Sequence, residues 1–546
     1  MAEINRRKLL VQGLVAGGGM ALGVPGARGA RPDHTAVRDD NSRCFGIHVV
    51  DDQTARGVPL VELRTVNNIR YYTDSAGYCA VEGPGLREEK TYFFISAPGY
   101  EYPKDGFGYA GVALDIKPGA SATIKVNRIN IAERLYRVTG EGIYRDSVIL
   151  GHPAPIREPL LNAKVLGQDS VLAVVYRGNI HWIWGDTSRP SYPLGNFRSS
   201  GAVSDLPGKG GLDPGLGVNL VYITDKTGFC RAMCPLPEEP VGVVWIGALT
   251  VVPDHAGSQR MIAHYSRRDG LSKLFEHGLA LWDDSSQVFR KYAVYSLEEH
   301  WRLPTGHPAA FVDHGTEYRL FSPQFPTVRA AATLEAIADS ASYEAFTCLA
   351  PGTQFKGGKS RVNRRSDGVL VWSWKHNSAP LSSAQEFELL SAGLIKPHET
   401  HYQLFDAQTN HPLTIAGGSF FWNAYLKKWI MIGCQEGGTS FLGEIWFSAA
   451  DAATGPWRKA VKIATHPDYS FYNPTQHLFF DQEGGKIIFF EGTYSATFSG
   501  NSHPRPRYDY NQIMYRLDLS NPRLADIIES RIGGLRRIYA NREKIP

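Results

Sequence analysis

Residues 167–197 read GQDSVLAVVYRGNIHWIWGDTSRPSYPLGNF. Two apolar runs are joined by a short polar turn, the pattern of two neighbouring antiparallel strands. A carboxylate stands at the mouth of each: Asp169 just before the first run and Asp186 at the end of the second. Placing a carboxylate against an apolar strand is costly unless it serves a purpose. Capping a turn is the plainer use of Asp186. The two acids together mark this end of the hairpin as a candidate site.

The same unit recurs four times, in VWIGALTVVPDHAGSQRMIAHYSR, HPAAFVDHGTEYRLFSPQ, GGSFFWNAYLKKWIMIGCQEGG and TQHLFFDQEGGKIIFFEGTY. Each is followed by further strand-like text such as HGLALWDD or GEIWFSAA. Strand signals dominate residues 161–518, with one helix predicted around 331–346. Short strands punctuated by Gly and Pro, in five similar units, predict a five-bladed β-propeller, in which radial repetition hides the sheet edges. A large sandwich or two stacked β domains is the alternative. The propeller is preferred because a polar position recurs after the second strand in four of the five units.

Reading the units in register puts Asp169, Trp245 or Ile246, His307, Ser419 and His477 at the entry of inner strands. Asp186, His264 with Tyr265, Ser322, Glu436 and Glu491 fall at the exits of the second strands. These ends open onto one funnel, so Asp169, Asp186, Glu436 and Glu491 are the catalytic candidates. Clustered carboxylates raise one another's pKa, which lets one act as an acid while another stays ionised. The substrate-binding candidates are His264, Tyr265, Arg267, His307, His477, Asn473, Tyr494 and Trp184. Core packing is the competing use of the aromatic residues, and hydrogen bonding within strands that of the histidines. Glu317 and Glu444 are assigned to solvent or to an interface between units. His398 and His401 in KPHETHY suit a metal only on a helix, which their neighbours do not support. No metal or cofactor is predicted.

At 546 residues, a length prior gives roughly two to four domains. Lys+Arg 58 against Asp+Glu 54 leaves a charge of +4, and the clearest basic cluster, KGGKSRVNRR at 356–365, reads as a solvated loop. No nucleic-acid partner is therefore expected. Residues 1–30 combine Arg6-Arg7-Lys8 with a Gly/Ala-rich apolar stretch, resembling a twin-arginine export signal. A periplasmic or secreted protein is expected, without a membrane span in its mature form; a retained N-terminal anchor is the alternative. Export permits disulfides, and a Cys44–Cys79 bridge stays open, since spacing alone does not establish its geometry. Residues 40–128 alternate in short strands separated by turns, predicting a small antiparallel β-sandwich. Residues 129–160 read as a linker, 161–520 as the propeller and 521–546 as a C-terminal extension.

GVPLVELRT, TDSAGYCAV and ISAPGY resemble the carboxypeptidase-regulatory or transthyretin-like accessory domains, which implies a supporting role. NAKVLGQDS, YRGNIHWIWGDT, GGSFFWNAYLKKWIMIG and GEIWFSAADAATGPW resemble the five-bladed propeller glycosidases of the arabinanase, fructosidase and sialidase-like group, near the branch that includes endo-D-arabinanases. This resemblance implies glycoside hydrolysis, with Asp169 as base or nucleophile and Asp186 beside it. The second unit departs from the pattern: VWIGALTVV lacks the acid expected there, which moves the proton donor to Glu491 or Glu436. The expectation is an all-β exported hydrolase of a polysaccharide. The alternatives are a lyase using His264, Tyr265, Arg267, His307 and His477 on a uronate-containing glycan, and a non-catalytic glycan-binding propeller.

Overall fold

The computed structural model describes residues 43–298 and 301–528. The expected export signal, 1–30, and most of the extension at 521–546 lie outside the described residues.

Two four-stranded sheets come first. One runs in the order Tyr78–Val81, Phe45–Asp51, Ser121–Arg128, Tyr100–Glu101, and the other Arg70–Tyr72, Glu62–Thr65, Lys90–Ser96, Gly111–Asp115. In KTYFFIS, Thr91, Phe93 and Ile95 are buried while Tyr92 and Phe94 face outward, as a period of two requires. Ile47, Val49, Leu63, Phe93 and Val126 form the shared core, each contributing about 1.5–3 kcal/mol by leaving water. One pairing differs from the antiparallel expectation: Phe45–Asp51 and Ser121–Arg128 are parallel. A parallel pair needs a long crossover, and the whole second sheet supplies it. Cys79 stands opposite Ile47, not Cys44, and is a free thiol.

Five further sheets of four to six strands follow, with a three-stranded one of Gly167–Gln168, Thr187–Arg189 and Tyr192–Asn196 beside the first. The first contains Leu172–Tyr176, Asn179–Trp184, Ser200–Asp205 and Val221–Tyr222; the second Val243–Pro253, Gln259–Asp269, Lys273–Asp283 and Val288–Val294. The third begins with Ala309–Asp313 and Thr316–Phe321, the fourth with Ile415–Asn423 and Lys428–Gln435. The fifth runs Ser470–Gln476, Ile487–Ser495, Asn511–Asp518 and ends on Glu133–Arg137. That last strand lies within the segment read as a linker, 129–160. A segment from before the first sheet is the outermost strand of the last, and this pairing covers an edge that would otherwise invite association. Its sequence, ERLYR, is buried at all five positions, so no alternation announced it as a strand.

The closing strand also ties on the N-terminal sheets. Arg134, fully buried, donates to the carbonyl oxygens of Pro59 at 3.0 Å and Pro98 at 2.9 Å. Beside it, the Tyr508 hydroxyl donates to Thr73 O at 2.6 Å.

The helix expected at 331–346 shrinks to Leu334–Ala338, capped by Thr333, and the chain re-enters a strand at Glu344–Thr347. A longer helix, Ser383–Ser391, was missed although Ser382 and Gln385 form a capping box, a legible start signal. Its Glu386 accepts from the backbone N–H of Tyr402 at 2.9 Å. Among the described residues no helix is long and apolar enough to cross a membrane.

Candidate active site

Asp169 and Asp186 meet where the first sheet's hairpin opens. Gly185 N–H donates to Asp169 O at 2.8 Å, and the Asp186 N–H donates to the Asp169 carboxylate. A Cβ on Gly185 would sit 2.2 Å from Asp169 Oδ1. Only glycine therefore lets the two acids approach, and the tripeptide Trp184-Gly185-Asp186 carries that constraint in the sequence.

Three other elements complete the surroundings. The Tyr472 hydroxyl donates to Asp169 Oδ2 at 3.2 Å from the first strand of the fifth sheet. Tyr510, just before that sheet's third strand, donates its phenol to the same carboxylate. Trp245, on the first strand of the second sheet, donates its indole N–H to Asp186 Oδ1 at 2.9 Å. The position lacking an acid in VWIGALTVV is thus occupied by a donor that holds the acid of its neighbour.

Backbone strain gathers at the same spot. Ser170, Asn473 and Tyr510 all have left-handed φ, 53°, 51° and 58°. Asn473 Nδ2 donates to Ser170 Oγ at 2.7 Å, and Ser170 N–H to Thr493 Oγ1 at 2.9 Å. Such conformations are costly for residues other than glycine and concentrate at functional sites.

The electrostatics follow from this packing. Burial pushes Asp169 up to about 7, and the neighbouring charge of Asp186 adds to the shift against the pull of the tyrosine hydrogen bonds. Burial likewise pushes Asp186 up to about 6, opposed by the Trp245 hydrogen bond. Neither acid is sealed off, since each keeps part of its surface open to solvent. Two neighbouring carboxyls displaced toward neutrality can hold one proton between them, as acid–base chemistry requires.

The remaining sequence candidates separate from this pair. Glu491 is fully buried, with Oε1 3.1 Å from Nε2 of the equally buried His477. It pairs with Thr475, four residues short of the strand end at Ser495, and so does not open onto the mouth. The error is one of register. The inner strand is SFYNPTQ, beginning at Ser470, and His477 follows its far end. Pro474 hid it, because proline argues against a strand except at an edge or bulge, and the ladder indeed shifts register between Tyr472 and Thr475. Glu436 is exposed on the turn after its strand, its N–H donating to Thr414 O at 2.8 Å. Glu444 is buried and bound by Lys462 at 2.9 Å.

Tyr265 is buried and donates its hydroxyl to Glu276 at 2.8 Å. Arg267 is paired with Glu239 at 3.2 Å, so its charge is already neutralised. His307 is held down to about 4 by burial, with His477 close enough to add to the shift. Tyr494 is buried and stacked on Tyr469 with ring centroids 4.2 Å apart. Trp184 is buried and stacked on Trp182 at 6.2 Å. Neither offers a face to a sugar. Asn473 is exposed at the rim beside Ser170. His401 binds Thr454 O at 2.9 Å and packs on Trp372. Tyr472, Tyr510 and Gly185 were missed by sequence reading; the last was legible in WGD, but the tyrosines were not, because they come from more than 280 residues away along the chain.

No protein-family model and no curated protein matches the chain. Among solved structures it is similar to a thermostable family-43 glycoside hydrolase, at 11% identity over 64% of this chain and 88% of that one, with a TM-score of 0.27. It is similar to a GH43_1 enzyme from Xanthomonas citri complexed with xylotriose, at 11% identity over 66% and 88%, TM-score 0.30. It is also similar to the Penicillium chrysogenum alpha-L-arabinanase complexed with arabinobiose, at 11% identity over 71% and 99%, TM-score 0.35. Likeness at this level carries no argument about activity.

Proposed function

We propose that the chain is an exported glycoside hydrolase acting on a polysaccharide, with Asp169 and Asp186 as its acid–base pair. The observation that carries this reading is that pair: two part-buried aspartates joined by the Asp186 N–H on the Asp169 carboxylate, both displaced toward neutrality, in a shell of tyrosine and tryptophan donors. Glycosidic cleavage needs one carboxyl to protonate the leaving oxygen and a second to activate water or attack the sugar. The five sheets are read as the blades of a five-bladed propeller and the two N-terminal sheets as a sandwich that braces it through Arg134. Glu491 and Glu436 leave the proposed machinery, the first because it is sealed and the second because it stands exposed on a turn.

The lyase alternative loses support from the same geometry. It needs an arginine free to neutralise a uronate, and Arg267 is committed to Glu239. The test is release of reducing ends from glycans by the wild type and by Asp169→Asn and Asp186→Asn. Cleavage by the wild type and its loss in both variants, with unchanged folding, is expected. Undiminished cleavage by both would overturn the assignment, and an ultraviolet-absorbing unsaturated product would turn it toward a lyase.

A further inference from the structure

Several glycines have a steric reason to be glycine. A Cβ would lie 2.2 Å from Asp169 Oδ1 at Gly185, 1.9 Å from Ala293 O at Gly278, and 2.2 Å from Ile432 O at Gly418. Gly247 has none: nothing lies within 4 Å of the place its Cβ would take, and its backbone is outside the left-handed region. It follows Trp245 by two residues on one strand, hence on the same face and about 7 Å along it. Trp245 is the residue that holds Asp186. The ladder shifts register directly after Gly247, with Ala248 at φ 49°. Bulges re-aim side chains and are over-represented beside active sites.

His264 stands opposite Gly247 in the ladder and remains half-buried. Its Nε2 is 3.1 Å from His277 Nδ1, and His277 Nε2 is 3.0 Å from Ser296 O. A carbonyl oxygen only accepts, so His277 carries its proton on Nε2 and, when neutral, accepts on Nδ1. His264 must then carry its own proton on Nε2, which leaves its Nδ1 as an acceptor. Burial, with His277 adding, holds His264 down to about 3, so the ring stays neutral across the working range.

We propose that Gly247 and His264 form a sugar-binding subsite beside Asp186: the glycine leaves room for a sugar ring, and His264 Nδ1 accepts a hydrogen bond from one of its hydroxyls. The subsite rests on the hydrolase reading and adds to it the residues that fix how a glycan lies against the acid pair. Neither residue takes part in proton transfer to the glycosidic bond; both act on binding.

The experiment measures kcat and KM on arabinan, xylan and galactan, by reducing ends, for the full chain and for Gly247→Ala, Gly247→Val and His264→Leu. The subsite predicts KM rising with side-chain size, at least tenfold in Gly247→Val, with kcat within about threefold of wild type and an unchanged thermal midpoint. His264→Leu, which keeps bulk but loses the acceptor, raises KM in the same way. A wild type that cleaves one of these glycans while Gly247→Val matches its KM overturns the subsite alone. A wild type that releases reducing ends from neither these nor any other glycan tested overturns the hydrolase reading, and the subsite with it.

Discussion

The backbone N–H of Asp186 donates to the side chain of Asp169, while Asp186 is itself held by the Trp245 indole at 2.9 Å. Each acid is therefore oriented by a donor outside its own side chain, and neither can turn without breaking a partly buried hydrogen bond. The first consequences concern that geometry.

Gly185→Ala places a methyl group 2.2 Å from Asp169 Oδ1. The carboxylate must move by an ångström or more, and displacement on that scale costs about a hundredfold in rate. Steady-state turnover of a cleaved glycan should fall by that order while KM changes little.

Trp245→Phe keeps the ring and removes the donor to Asp186. A hydrogen bond to a charged group contributes about 1.5–3 kcal/mol, so kcat should fall by roughly ten- to a hundredfold. Without that donor the Asp186 pKa rises further, and the acidic limb of the kcat/KM profile should shift to higher pH. An unmoved limb would show that the indole serves packing alone.

The wild-type pH–rate profile should be a bell with limbs near about 6 and about 7, the singly protonated pair being the active form. Asp186→Asn removes the charge that helps raise Asp169, so the residual titration of Asp169 should move to lower pH. Titration followed by nuclear magnetic resonance of the carboxyl carbons would read this directly.

Stability has the opposite sign from the usual salt-bridged carboxylate. Both acids have folded pKa values above the ordinary range of about 4, so the folded state binds more protons between about pH 4 and about 7. Stability therefore falls as pH rises through that window. Asp169→Asn should raise the thermal midpoint at pH 8 and leave it nearly unchanged at pH 4. Equal effects at both pH values would contradict the burial cost assigned to this carboxyl.

The pairing of Glu133–Arg137 with Asn511–Asp518 makes its own demand. A chain begun at Asn130 keeps Glu133–Arg137, the outer strand of the last sheet, whereas one begun at Val138 loses it. The first should show a cooperative thermal transition, lowered because Arg134 has lost Pro59 and Pro98 as partners. The second should be insoluble or lack a cooperative transition.

Local pattern was enough where the determining interactions are local. The hairpin of 167–197, its flanking carboxylates and the alternation in KTYFFIS follow from the period of two and from the cost of setting an acid beside apolar strands. The capping box of Ser382 and Gln385 is equally local. What misled the sequence reading was Pro474 inside a strand, which slid the fifth unit by several residues and made Glu491 and His477 look like residues of the cleft. ERLYR was unreadable for a different reason: a strand buried along its whole length has no alternation to show, and its partner lies some 380 residues later in the chain.

By itself, the sequence determined that this protein is built of short strands and that Asp169 and Asp186 stand together at the mouth of one hairpin. Only the tertiary structure decided which groups surround them. Trp245, Tyr472 and Tyr510 reach the acids from two other sheets, across 59 to 341 residues of chain. A carboxyl's pKa is set by what lies within a few ångströms of it, and that distance in space leaves no trace in sequence spacing.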